Sequence, residues 1–281
     1  MKPRAHRSTP RVPFDYATVR TTKSRIDKGL LAIPASLVSL FPRSARTITL
    51  VNDAGIEESK TFTPLGSSSG ECRIGGLAEF YRRNAVRDGD EVVVQLLGDG
   101  RFRLTPELAF QAKIRNLEAL IEGSGDEAQA DKLLGLLAEA TNLPRTEVAK
   151  NEFVRLAEAA PEPGRKRRAA RAEVKAGLPA HLRRILLELY GGACQVSGFT
   201  FLTASGAPYF EVHHIDPSVG NHIKNLLVVS PNVHAQFTYA SLEQQFDDEG
   251  WLRGVRFNRQ PFSVFQIIDK LPKRFDKELH A

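Results

Sequence analysis

The hydrophobic period of this chain changes once, near Thr105, and that change constrains its architecture more than any other feature. Before it, short runs rich in β-branched and alternating residues, TITLVN (47–52), EVVVQLL (91–97) and RFRL (101–104), alternate with turn formers. The turns fall at 52–55, in GSSSG (66–70), at Asp88-Gly89-Asp90 and at Gly98-Asp99-Gly100. Two short helices are expected among the strands, one in ASLVSLF after Pro34 and one from Leu77 to about Asn84. After Thr105, apolar residues recur at helical spacing. Leu108, Ile114, Leu117, Leu120 and Ile121 mark a first helix, opened by Thr105-Pro106-Glu107 and ended near Gly123. A second spans 126–141, and a third follows Pro144 with Val148, Phe153, Val154 and Leu156. Pro161-Glu162-Pro163-Gly164 breaks the pattern. A last region opens with a helix over 180–190, in which Leu182, Ile185, Leu186 and Leu189 share one face, and Gly191-Gly192 stops it. The expected fold is α+β and multidomain: a small closed β barrel over 1–104, a helical connector with a basic linker over 105–177, and a third domain over 178–281.

At 281 residues, 42% of them hydrophobic, the chain can bury real cores and is not expected to be disordered. No apolar run reaches the roughly 18 residues that a membrane span needs. The N-terminal MKPRAHRSTPRVPF is basic but is not followed by an apolar stretch, so a secretory signal is not expected. The two cysteines, Cys72 and Cys194, lie far apart, which leaves no disulfide framework and points to a reducing, cytoplasmic setting. The net charge of +6 is unevenly spread. Residues 1–46 hold ten Lys and Arg against Asp15 and Asp27, residues 106–160 are net acidic, and Arg165-Lys166-Arg167-Arg168 opens a second basic stretch. Basic regions on either side of an acidic one suit contact with a polyanion such as nucleic acid.

Chemistry concentrates in the last third. His213-His214 stand in EVHHIDP, Asn225 in KNLLVVSPN and His234 in PNVHAQF. The intervening Pro217, Ser218, Gly220 and Asn221 are turn formers, LLVVS reads as a strand, and Pro231 begins a helix. The order is strand, loop, strand, helix. Phosphodiester hydrolysis needs a base for water, a cation to offset phosphate charge, and stabilisation of the leaving alkoxide. A histidine titrating near neutrality suits the base, two further imidazoles can hold a metal ion, and an asparagine can fix the loop between them by hydrogen bonding.

On these residues the segment from about Cys194 to Phe246 resembles the HNH, or ββα-metal, nuclease family. Asn225 and His234 are nine positions apart, as the Asn and the helix ligand are in that family. The resemblance implies that His213 and His234 are metal ligands, His214 the general base and Asn225 the loop-fixing residue. CQVSG (194–198) is similar to the entry sequence of one branch of the family. The chain departs from it at the two zinc knuckles, where Ser197, Ser230 and Val233 stand in place of cysteines beside Cys194. No structural zinc is therefore expected. A site with two imidazoles should keep several waters, which favours Mg²⁺ or Mn²⁺.

The region from about Thr18 to Leu104 resembles the plant-type "B-three" DNA-binding pseudobarrel, which also serves as the recognition domain of some bacterial restriction endonucleases. The residues that carry this are Ile33-Pro34, Phe80, Asn84 and Asp88-Gly89-Asp90. The resemblance implies two arms gripping the major groove of double-stranded DNA. One would hold Thr22, Lys23, Ser24, Arg25, Asp27 and Lys28, the other Ser67, Ser68, Ser69, Glu71 and Arg73. Arg can pair with guanine, Glu can accept from cytosine, and Lys and Ser suit phosphates.

A sequence reader joined to a nuclease implies a restriction-type endonuclease. One such site cuts one strand, so a homodimer is expected for a double-strand break, with the helical connector as the candidate interface. A modification-dependent defence nuclease, a homing or nicking endonuclease, and a DNA-binding regulator with a vestigial nuclease remain open alternatives.

Overall fold

The computed structural model describes residues 16–44, 46–52, 55–65, 72–159 and 177–271. The chain packs as two compact units. The first comprises Met1–Ala119 with Leu137–Leu143, and the second Leu120–Leu136 with Pro144–Ala281.

The first unit is built from β1 (Ala17–Arg20), α1 (Lys23–Asp27), β2 (Leu31–Ala32), β3 (Thr47–Val51), β4 (Glu57–Thr63), β5 (Arg73–Ile74), α2 (Ala78–Arg83), β6 (Glu91–Gly98) and β7 (Arg101–Pro106). The seven strands make one barrel-like sheet in the order β1-β6-β7-β3-β4-β5-β2, which fits a pseudobarrel. Every pairing is antiparallel except β3 with β7, which run parallel with Leu50 opposite Phe102. Strand alternation explains the core: Ile48 and Leu50 of β3, Val92 and Val94 of β6, and Phe102 and Leu104 of β7 all point inward. Phe41 fills the centre, stacked 4.3 Å from Phe102 and 5.6 Å from Phe62. Gly29, at φ +61°, joins the two short helices: its carbonyl accepts from the Leu77 amide, and a Cβ there would meet the Ala78 nitrogen at 2.9 Å.

Some elements differ from the sequence expectation. The stretch after Pro34 forms a turn and a three-residue 3₁₀ segment, Val38–Leu40, not an α-helix. Thr105 and Pro106 do not cap a helix. They end β7, with Pro106 opposite Val92, and the helix α3 (Glu107–Glu122) begins directly after. α4 (Glu127–Thr141) and α5 (Arg145–Glu158) follow close to their expected bounds. The carbonyl of Ala140, near the end of α4, accepts from the buried Gln95 side chain, and Asn142 donates to Leu96, so the 137–143 segment is tied to the sheet.

The second unit continues through α6 (Ala180–Tyr190), β8 (Phe201–Leu202), β9 (Pro208–Tyr209), β10 (Glu211–His214), β11 (Leu226–Val229), α7 (Pro231–Tyr239), β12 (Leu242–Phe246), β13 (Leu252–Phe257) and β14 (Gln260–Ser263). β10 and β11 pair antiparallel with His213 opposite Leu227 and His214 opposite Leu226. The three-stranded sheet β12-β13-β14 was not expected from the sequence. Its Leu252, Val255 and Phe257 pack with Leu227, Val229, Val233 and Phe237, which seats the hairpin and α7 on one apolar core. Gln195 holds the hairpin from its other edge. Its backbone amide donates to the Val228 carbonyl, its side chain accepts from the Val228 amide, and its Nε2 donates to the Phe265 carbonyl. No helix among the described residues is long and apolar enough to cross a membrane.

Candidate active site

Two short elements position the histidines. β10 presents side chains alternately, so Glu211 and His213 share one face and Val212 and His214 the other. α7 starts cleanly because Ser230 accepts the Val233 amide at the N-cap and Pro231 occupies the first turn. His234 lies in that first turn and faces β10. The His213 and His234 rings are 5.3 Å apart between centroids, and His213 also stacks on Phe237 at 4.2 Å. Burial, then the neighbouring His234 and His214 imidazoles, push the His213 pKa down to about 4. It is therefore neutral near pH 7, the form that binds metal ions.

Asn225 is buried at the end of a 3₁₀ turn, Ile223–Asn225, and spans the loop after β10. Its Oδ1 accepts from the Asp216 amide, and its Nδ2 donates to the Asp216 and Gly220 carbonyls, all at 2.8 Å. Its own carbonyl accepts from the Ile215 amide at 2.9 Å. His214 stands at the mouth of this loop, where its Nε2 meets Asn221 Oδ1 at 2.8 Å. With the proton on Nε2 donating to that amide oxygen, Nδ1 keeps a lone pair for proton transfer.

Sequence reasoning missed two of these residues. Glu211 Oε2 accepts from His234 Nδ1 at 2.5 Å, and Asn221 engages His214. Both carry a signal in hindsight, since Glu211 is two positions from His213 on a strand and Asn221 is a polar loop residue. The two other described histidines, His181 and His222, lie apart from this cluster. His222 Nε2 meets the Ala159 carbonyl, and His181 is buried on α6.

As a metal site, the pair offers two imidazoles, with His234 already oriented by a carboxylate. That donor set fits a divalent cation that keeps most of its coordination open to water and substrate. Among the described residues, no group of three or more His, Cys, Asp and Glu side chains is arranged to hold a metal ion. At the knuckle positions, Cys194 is buried and its sulfur accepts from the Ser197 amide at 3.4 Å. Burial raises its thiol pKa, but hydrogen bonds from Ser197, Ser230 and Val196 outweigh that and leave it lowered. One sulfur beside a helix-capping serine does not make a four-ligand zinc set.

Phe199, Phe201 and Tyr209 form an exposed aromatic surface, with Phe201 stacked on Tyr209 at 5.2 Å, and the Tyr209 hydroxyl links it to Glu211.

In the first unit, Thr22 is the N-cap of α1, and Lys23, Ser24, Arg25 and Asp27 form that helix, with Lys28 as its C-cap. Lys23, Ser24, Asp27 and Lys28 are exposed and Arg25 is half-buried. Arg73 is half-buried in β5, opposite Ala32. The structure thus keeps the expected first arm together as one helical turn anchored by Asp88, whose carboxylate accepts the Lys23 amide. Ser67, Ser68, Ser69 and Glu71 lie outside the described residues.

No family model matches the chain, and no curated protein matches it. Among solved structures, a hypothetical Arabidopsis thaliana protein is similar at 17% identity, covering 32% of this chain and 85% of that one, with a TM-score of 0.26.

Proposed function

We propose that this chain is a metal-dependent DNA endonuclease of the HNH type, with the barrel-like unit reading DNA and the second unit cutting one strand. The observation that supports it most is the facing of His213 and His234 across β10 and α7, beside a loop clamped by Asn225. In this reading His213 and His234 hold a divalent cation, Mg²⁺ or Mn²⁺, which when bound offsets charge on the scissile phosphate. His214 accepts the proton of the attacking water at Nδ1 while Asn221 steadies its ring. Asn225 keeps His214 at the correct end of the strand by fixing the loop that follows it. The exposed aromatic surface of Phe199, Phe201 and Tyr209 suits contact with the sugars and bases that flank the cut.

The basic α1 and Arg73 are the proposed contacts to double-stranded DNA, and the excess positive charge supports this. Residues 1–104 hold seventeen Lys and Arg against eleven Asp and Glu. A homodimer acting in the cytoplasm remains the proposal for a restriction-type enzyme, with a modification-dependent defence nuclease as the alternative. The deciding experiment digests methylated and unmethylated genomic DNA with the purified protein in Mg²⁺, in Mn²⁺ and in chelator, then sequences the fragment ends. Ends sharing a sequence, and lost in chelator, are expected. Absence of cleavage on both DNAs with either metal would refute the nuclease reading.

A further inference from the structure

The carboxylate of Glu211 is engaged at both oxygens. Oε2 accepts from His234 Nδ1, and Oε1 accepts from the Tyr209 hydroxyl at 3.1 Å. Tyr209, Glu211 and His213 thus alternate along one stretch, and Glu211 and His213 both meet His234 of α7. An ionised carboxylate can only accept, so the proton between it and His234 belongs to Nδ1. That leaves the lone pair on Nε2, the ring nitrogen not tied to β10. The Tyr209 bond occupies the other oxygen and limits rotation of the carboxylate.

We propose that Glu211 is the positioning residue of the metal site: it fixes His234 as the Nδ1–H tautomer and so presents Nε2 to a divalent cation. Tyr209 steadies Glu211 in turn. The inference rests on the proposed role of His234 as a metal ligand, and deepens it. A carboxylate behind a ligating imidazole sets its tautomer, its orientation and its basicity, and loss of such a partner weakens metal affinity by about 10- to 100-fold. Glu211 acts through His234 in this account and does not itself bind the ion.

The test uses the full-length protein. Long-range ¹H–¹⁵N correlation spectra of the metal-free protein report the His234 tautomer, and Mn²⁺ titration calorimetry reports affinity. Wild type should show Nδ1–H at His234. Glu211→Ala should move the proton toward Nε2 and weaken Mn²⁺ binding about 10- to 100-fold. Glu211→Gln, whose amide oxygen can still accept from Nδ1, should keep the tautomer and lose less affinity, which separates positioning from misfolding. Tyr209→Phe should have a smaller effect in the same direction. An unchanged tautomer and affinity in Glu211→Ala, with His234→Ala still losing Mn²⁺, would overturn the role of Glu211 alone. Mn²⁺ binding unaffected by His234→Ala would overturn the metal-ligand reading beneath it. Loss of Mn²⁺ binding in Glu211→Gln as complete as in His213→Ala would make Glu211 a ligand and overturn the positioning role.

Discussion

Replacing Asn225 with alanine isolates the loop clamp from the proposed metal ligands, because His213 and His234 are held by β10 and α7. The side chain makes three hydrogen bonds at 2.8 Å from a buried position. Each is worth roughly 0.5–1.5 kcal/mol net, and a buried group left without its partner costs about 1–3 kcal/mol. Asp216 is exposed and Gly220 half-buried, so water can replace part of what is lost. That keeps the expected cost near the lower end, about 2 kcal/mol for local opening of the loop, or roughly 30-fold in the opening equilibrium. The most direct assay is hydrogen exchange of the Asp216 amide, which Asn225 Oδ1 protects. Its protection should fall by about that factor, and cleavage by on the order of 100-fold as His214 loses its alignment. Mn²⁺ affinity should stay close to wild type. Asn225→Asp sharpens the test: it keeps the acceptor for Asp216 but turns an oxygen toward the Asp216 and Gly220 carbonyls, where the amide donated. At neutral pH it should be at least as damaging as alanine. Unchanged Asp216 protection in Asn225→Ala, or a wild-type Asn225→Asp, would refute the clamp.

His214→Ala should lower cleavage by about 10²–10⁴-fold with metal affinity intact, measured by single-turnover cutting beside calorimetry. His213→Ala and His234→Ala should each weaken Mn²⁺ binding, and metal analysis of the wild type after chelation should find no stoichiometric zinc. Substituting Lys23, Arg25 or Arg73 should weaken DNA binding. A phosphate contact would lower the salt slope by about 1, and a base contact would relax specificity at one position. Burial, partly offset by Glu122, lowers the His181 pKa, so the neutral form is favoured in the fold. Its contribution to stability is complete above the ordinary histidine range and is lost as pH falls through it. His181→Gln should therefore lose less stability than wild type between about pH 7 and pH 5 in urea titrations.

The histidines were legible because each sits where a local rule is strong. The EVHH strand alternates, and Ser230-Pro231 marks a helix start that fixes the phase of His234. Strands β12 to β14 escaped notice because LEQQF and QPFS carry few apolar residues, and only β13 in the middle is strongly buried. β4 hides for a similar reason, since only Phe62 of EESKTFT is buried. α1 has no buried residue at all, so its helix leaves no apolar period to read. Thr105-Pro106 misled because a proline can end a strand as readily as it starts a helix. Glu211 and Asn221 were hidden because they contact the candidate residues and are not among them: a sequence pattern shows which groups can react, while tertiary contact decides what orients them.

Charge gives the proposed division of labour a physical basis. Residues 178–281 contain ten Lys and Arg against ten Asp and Glu, so the region that carries the histidines has no net attraction for a polyanion. Several of its cations are also already engaged. Arg183 pairs with Glu127 and lies over Phe210, and Lys224 donates to the Glu249 carbonyl. Arg253 bridges Asp247 and Asp269, and Arg256 pairs with Glu243. Exposed pairs of this kind are weak and could exchange for phosphate, but each exchange would return less than a free cation gives. The whole net charge of the chain lies in residues 1–104, where α1 presents Lys23 and Lys28 to solvent. In the proposed enzyme, affinity and its salt dependence should therefore arise chiefly there, while His213, His214 and His234 should govern the rate once DNA is bound. Charge changes in α1 should then move KM, and changes at the histidines should move kcat.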